Sequence, residues 1–109
     1  MAEYGHFAEL DIRIGTVVSA EPFAEARKPA IKLVVDFGEL GLKRTSAQIT
    51  KRYEPDALVG TQVAAIVNFP PKRIAGFVSE VLVLGAVPEE GDVVLLRPDT
   101  LVPNGAPIA

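Results

Sequence analysis

Two adjacent prolines, Pro70 and Pro71, stand directly after the apolar run Val63-Ala64-Ala65-Ile66-Val67. The run has the composition of a buried strand. The prolines must end its ladder pairing, because neither carries a backbone N–H. Lys72 and Arg73 follow at once, so two cations sit where the chain leaves the sheet. Gly76 then supplies a turn, and Ser79 to Leu84 reads as a returning strand. The stretch from Asn68 to Gly85 is thus strand exit, rigid corner, basic pair, glycine turn and strand, and any ligand is expected first at that corner.

The rest of the chain fits short strands. Over Asp11 to Phe23, Ile12, Ile14, Thr16 and Val18 share one face, and Asp11, Arg13 and Gly15 share the other. Gly15 in mid-strand predicts a bulge or strong bend, as closing a small barrel requires. Glu25 to Pro29 is a polar loop carrying Arg27 and Lys28. Ile31 to Phe37 alternates, with Ile31, Leu33, Val35 and Phe37 inward. A turn over Gly38 to Gly41 returns it as Leu42 to Ala47. Ile49 to Tyr53 has room for one helical turn, and Pro55 suits the start of another, closed by Gly60. Strands are also expected at Ser79–Leu84 and Asp92–Arg97, with a turn at Pro88–Gly91. Residues 3–10 read as a short helix. Three prolines in the segment after Arg97 favour an edge or crossing arm there. Five or six strands with a short helix between the third and fourth predict an all-β OB-type Greek-key barrel, one domain over residues 1–109.

Composition excludes several functions. With no cysteine, the 109-residue chain has neither disulfides nor thiolate metal sites. His6 is the only histidine and has no cysteine or obvious acid partner, and no nucleophile or phosphate-loop motif is present. Glu89, Glu90 and Asp92 lack the spacing of a calcium loop. An enzyme, a metal and a cofactor are therefore not expected. No apolar run of membrane-spanning length and no leader pattern is seen, so the expected location is the cytoplasm without membrane insertion.

The formal net charge of −3 hides an asymmetry: residues 27–52 hold seven bases against two acids. Lys72 and Arg73 at the corner, with Lys43, Arg44, Lys51 and Arg52, are candidate phosphate contacts. The chain has no tryptophan, and its phenylalanines fall mostly at expected core positions, which disfavours single-strand binding by base stacking. Val34, Ala64, Ile66, Leu82, Leu84, Val94 and Leu96 make several strands apolar on both faces. A small barrel has one interior, so the second face calls for another surface, most economically a second copy.

Two motifs carry a resemblance. Leu10-Asp11-Ile12-Arg13-Ile14-Gly15 resembles the opening of the tRNA-binding domain of the endothelial-monocyte-activating polypeptide II family. That domain also ends bacterial methionyl-tRNA synthetases and forms free-standing dimeric tRNA-binding proteins. Asn68, Pro71, Lys72, Arg73, Gly76, Ser79 and Glu80 resemble the second signature of the family, and the match extends from about residue 8. Within it, Ser46–Tyr53, Asn68–Phe77 and Val102–Gly105 resemble a branch of bacterial protein-secretion chaperones. The resemblance implies an OB-fold homodimer that binds unfolded or presecretory polypeptides, with the export ATPase and tRNA as further partners. It implies nucleic-acid contacts at Asn68, Lys72, Arg73 and Ser79 and assigns no peptide-binding residue. Many tRNA-binding relatives have Gly-Met after Ser-Glu, where this chain has Val81-Leu82.

Overall fold

The first long alternating stretch forms β1 (Ile12–Pro22) in a computed structural model that describes residues 1–109. Its C-terminal half pairs antiparallel with β2 (Ile31–Asp36), and β2 pairs with β3 (Leu42–Ala47). Its N-terminal half pairs with β4 (Gln62–Ile66), whose far edge takes β7 (Leu82–Val83). The order β3-β2-β1-β4-β7 comes close to closing on itself. Glu80 N–H donates to Arg44 O at 2.8 Å, and Arg44 N–H donates to Glu80 Oε1 at 2.9 Å. The Thr45 hydroxyl reaches Val81 O at 2.8 Å. These bonds join β3 to the segment entering β7, giving a nearly closed five-stranded antiparallel barrel. Helix α2 (Pro55–Leu58) lies between β3 and β4, and helix α1 (Tyr4–Ala8) precedes β1. The fold is OB-like, as the strand count and the intervening helix predict.

Gly15 sets the bend of β1. A Cβ there would stand 2.6 Å from Val35 Cγ1 and 2.8 Å from Phe37 Cδ1. The face of β1 carrying Gly15 is therefore the inner one at this point, and the missing side chain admits two core residues. A register shift between Val17 and Ser19 increases the local twist. Val17, Leu33, Val35, Phe37 and Val63 fill the interior, and α2 contributes Leu58. Lys32, Val34 and Asp36 alternate with the buried residues of β2, as a half-buried strand should.

The edge of β1's N-terminal half that β4 leaves free is paired by the chain after Arg97. Gly105 N–H donates to Ile14 O at 2.7 Å, Ile14 N–H to Ala106 O at 3.0 Å, and Ile108 N–H to Ile12 O at 2.9 Å. The Gln62 side chain takes both backbone groups of Val102, at 3.1 and 2.8 Å. The expected crossing arm is present at the edge of β1, and Ile14, whose backbone it pairs, is buried. Ala64 and Ile66 are likewise buried within the chain, whereas Leu82 and Leu96 remain 48% and 46% exposed.

Two local expectations change. Ser79–Leu84 is not one strand. Ser79 ends β6 (Phe77–Ser79), paired with β5 (Lys72–Ile74), and the chain then crosses to β4 as β7. The hydrogen bonds of Glu80 to Arg44 interrupt the ladder and redirect the strand. Pro88 lies within β8 (Gly85–Glu89), which pairs with β9 (Asp92–Leu95) across a turn at Glu90-Gly91. Ile49–Tyr53 makes the single helical turn expected of it, closed by Tyr53 N–H to Ile49 O at 3.1 Å, and Ile49 enters the core. No helix is long and apolar enough to cross a membrane.

Candidate ligand-binding cavity

OB topology brings the β1–β2 loop and the chain between β4 and β7 to the same end of the barrel. β4's ladder ends at Ile66, Pro70 and Pro71 follow in the connecting segment, and the chain then rises as the β5–β6 hairpin. Its two turn residues, Ala75 and Gly76, have φ of 47° and 81°. Two positive φ values are what a two-residue hairpin turn of type I′ needs. Phe77 docks the hairpin on the barrel: its ring meets Phe23 at 5.4 Å between centroids, and Lys32 Nζ and Arg44 Cζ lie 5.6 and 5.4 Å from its centre.

Between that hairpin and the β1–β2 loop lies a cavity of about 830 Å³. Its apolar lining includes Ala47, Ile49, Val81, Val83, Val93 and Leu95. Several of these belong to or pack against the core, so the aliphatic surface is held by the barrel itself. Arg27 and Lys28 line it from the β1–β2 loop, and Lys72 and Arg73 from the hairpin. Of the chain's eleven lysines and arginines, Arg13, Lys32, Lys51 and Arg52 are ion-paired; four of the remaining seven are these cavity residues. Glu80 is the only acid in the lining, and one of its oxygens is already taken by Arg44 N–H. Phe69 is 42% exposed and lines the cavity.

The candidate residues from the sequence divide into those at the cavity and those elsewhere. Lys72, Arg73 and Ser79 line it. The Ser79 hydroxyl is 3.0 Å from the Thr45 hydroxyl and accepts from Ser46 N–H at 3.3 Å, which ties β6 to β3. Asn68 uses both ends of its amide on the N-terminal segment, accepting from Asp11 N–H and donating to Glu9 O, each at 2.9 Å. Arg44 lies against Phe77 outside the lining, and Lys43 stands opposite Val35 on β3.

Arg52 grips Asp92 through two bonds of 2.9 and 2.8 Å, and Lys51 lies 3.8 Å from Glu89. The Arg52 hydrogen bond holds the Asp92 carboxyl below its usual range, and Asp92 in turn raises the Arg52 guanidinium. His6 accepts from Glu3 N–H at 3.0 Å as part of the α1 cap. Arg27 and Lys28 escaped the sequence reading as site residues, because a polar loop shows nothing of its neighbours. Barrel topology was the available signal, since it sets that loop beside the hairpin.

The family described as "Putative tRNA binding domain" matches residues 12–107. The methionine–tRNA ligase of Methanothrix thermoacetophila is 41% identical over 96% of this chain, and that of Methanococcoides burtonii is 38% identical over 88%. The chain spans only 15% and 14% of those two proteins. The crystal structure of chaperone CsaA from Bacillus anthracis superposes with a TM-score of 0.97 at 65% identity, covering 100% of this chain and 99% of that one. CsaA chaperone protein from Picrophilus torridus gives 0.93 at 48% identity, with 100% of both chains covered. The chain therefore belongs to the tRNA-binding domain family that its two motifs resemble, and over its whole length it is similar to the CsaA chaperones.

Proposed function

We propose that the protein is a non-enzymatic, ATP-independent chaperone that binds exposed apolar segments of unfolded or presecretory polypeptides in the cavity between the β1–β2 loop and the β5–β6 hairpin. The observation that carries this reading is the aliphatic lining, open to solvent yet held by core residues, in a chain 65% identical to a protein named a chaperone. An extended segment gains there by burying its side chains without folding. Residues 1–109 act as one unit, in the cytoplasm, assisting protein export in contact with the export ATPase. The working form is a homodimer, supported by the half-exposed apolar side chains of Leu82 and Leu96. In the test, stoichiometric protein suppresses aggregation of an unfolded client without ATP. No suppression, together with no client binding by calorimetry, rejects the reading.

A second reading is favoured by the four cations without ion-pair partners: recognition of tRNA through phosphates. Lys72 and Arg73 make the contacts, joined by Arg27 and Lys28, while Asn68 and Ser79 fix the segments on either side of the hairpin. Lys43, Arg44, Lys51 and Arg52 form a more distant set. This reading predicts affinity that falls steeply with salt and drops on Lys72→Ala/Arg73→Ala. Affinity indifferent to both removes it.

A further inference from the structure

The charge around the cavity runs against the charge of the molecule. The protein carries −3 overall, yet the lining holds Arg27, Lys28, Lys72 and Arg73 against Glu80 alone. None of the four cations has an ion-pair partner in the chain. An apolar ligand needs no such set, and within the chain only the Arg73 side chain bonds to anything, through a long 3.5 Å contact to Gly76 O. Uncompensated like charges beside a low-dielectric surface raise the local potential and favour ligands of opposite sign.

We infer that the cavity selects extended polypeptide segments in which one or two apolar side chains are flanked by aspartate or glutamate. The inference rests on the polypeptide-binding reading above and names its ligand class. The apolar residues meet half-buried Ala47, Val83 and Val93, which the core residues Ile49, Val81 and Leu95 hold in place, and the flanking carboxylates meet the two basic pairs. Arg27 and Arg73 each offer the planar fork that suits a carboxylate. A lysine- or arginine-rich segment, such as the basic start of an export leader, is repelled by the same four charges.

A polypeptide fits this lining better than unpaired RNA does. Base stacking needs exposed aromatic faces. Phe23 and Phe77 are engaged edge-to-face with each other, which leaves Phe69 as the exposed phenylalanine of the lining.

The test uses three labelled peptides with one apolar centre, flanked by glutamate, serine or lysine. Each is titrated with the full chain by fluorescence anisotropy at low and high salt. The glutamate peptide is expected to bind roughly tenfold more tightly than the serine peptide at low salt, and the lysine peptide most weakly, with the differences shrinking as salt screens the rim. In the variant Arg27→Gln/Lys28→Gln/Lys72→Gln/Arg73→Gln, checked for folding by circular dichroism, the ratio of glutamate to serine affinity is expected to approach one. The double variant Lys72→Gln/Arg73→Gln should lie between.

Serine-peptide binding with no charge preference, or a preference for lysine, overturns the ligand class and leaves the polypeptide reading standing. No binding of any of the three overturns the polypeptide reading itself. A single-stranded RNA oligonucleotide that displaces the glutamate peptide, binds more tightly than it and loses that affinity in the quadruple variant also overturns the proposal, in favour of RNA.

Discussion

Phe77 meets Phe23 with their ring planes 62° apart, and Lys32 lies over both rings, 5.2 Å from the centre of Phe23 and 5.6 Å from that of Phe77. The β5–β6 hairpin carries two of the four cavity cations, so this contact decides where they stand. Leucine at position 77 keeps apolar bulk and loses both the ring pair and the attraction of two cations. Phe77→Leu is expected to cost the hairpin roughly 1–3 kcal/mol of local stability. Amide exchange should quicken over residues 72–79 and stay unchanged in β1 and β2. Equal protection of the hairpin in variant and wild type removes the anchoring role.

The Arg52–Asp92 pair gives stability a definite pH dependence. The native Asp92 carboxyl is held below its unfolded value, mainly by the Arg52 hydrogen bond. The native state therefore refuses a proton that the unfolded chain accepts. The stabilisation is complete above the ordinary aspartate value of about 3.9 and is lost as pH falls through the lowered native one. Asp92→Asn should be less stable than wild type to urea at neutral pH, and the two should converge in strong acid. A gap that persists there assigns the effect to packing.

Gly15→Ala tests the inner face of β1. The new methyl meets Val35 and Phe37, both 0% exposed, and the backbone oxygen of Asp36 at 2.8 Å. Neither core residue has room to retreat, so a loss of roughly 1–3 kcal/mol is expected in denaturant titration. Stability equal to wild type would mean that β1 shifts as a whole, and amide exchange along β1 and β2 would report it.

The proposed homodimer predicts an effect of Leu96→Asp. Leu96 is 46% exposed, so an aspartate there costs the folded monomer little, within about 0.5 kcal/mol. At a seam between copies it buries a carboxylate without a partner. Light scattering should give about half the wild-type mass, and melting should no longer depend on protein concentration. A dimer of unchanged affinity places the seam elsewhere.

Local pattern made much of this fold readable. The alternation in Ile31–Phe37 was enough to place β2, the glycines of the turn after it placed β3, and Gly15 marked the bend, because period and backbone freedom are properties of neighbouring residues. The inner face of β1 was not readable, since Gly15 and Val17 become interior only when Val35 and Phe37 press against them. Glu80 looked like one residue of a continuous strand; its bonds to Arg44, 36 positions away, divide that strand in two. The cavity was half legible. Lys72 and Arg73 stood out beside the prolines, while Arg27 and Lys28 became their neighbours only through barrel closure.

The arm over β1 also orders events in time. Arg13 donates to Gly105 O across 92 positions of sequence, and Ile12 and Ile14 bond to residues 105–108. A nascent chain whose synthesis has not reached residue 105 has every barrel strand and still leaves one edge of β1 unpaired. Contacts this distant in sequence close late, because the loop entropy must be spent before they form. The barrel is therefore completed only after those residues leave the ribosome, and until then the open edge of β1 is itself a segment in need of a chaperone.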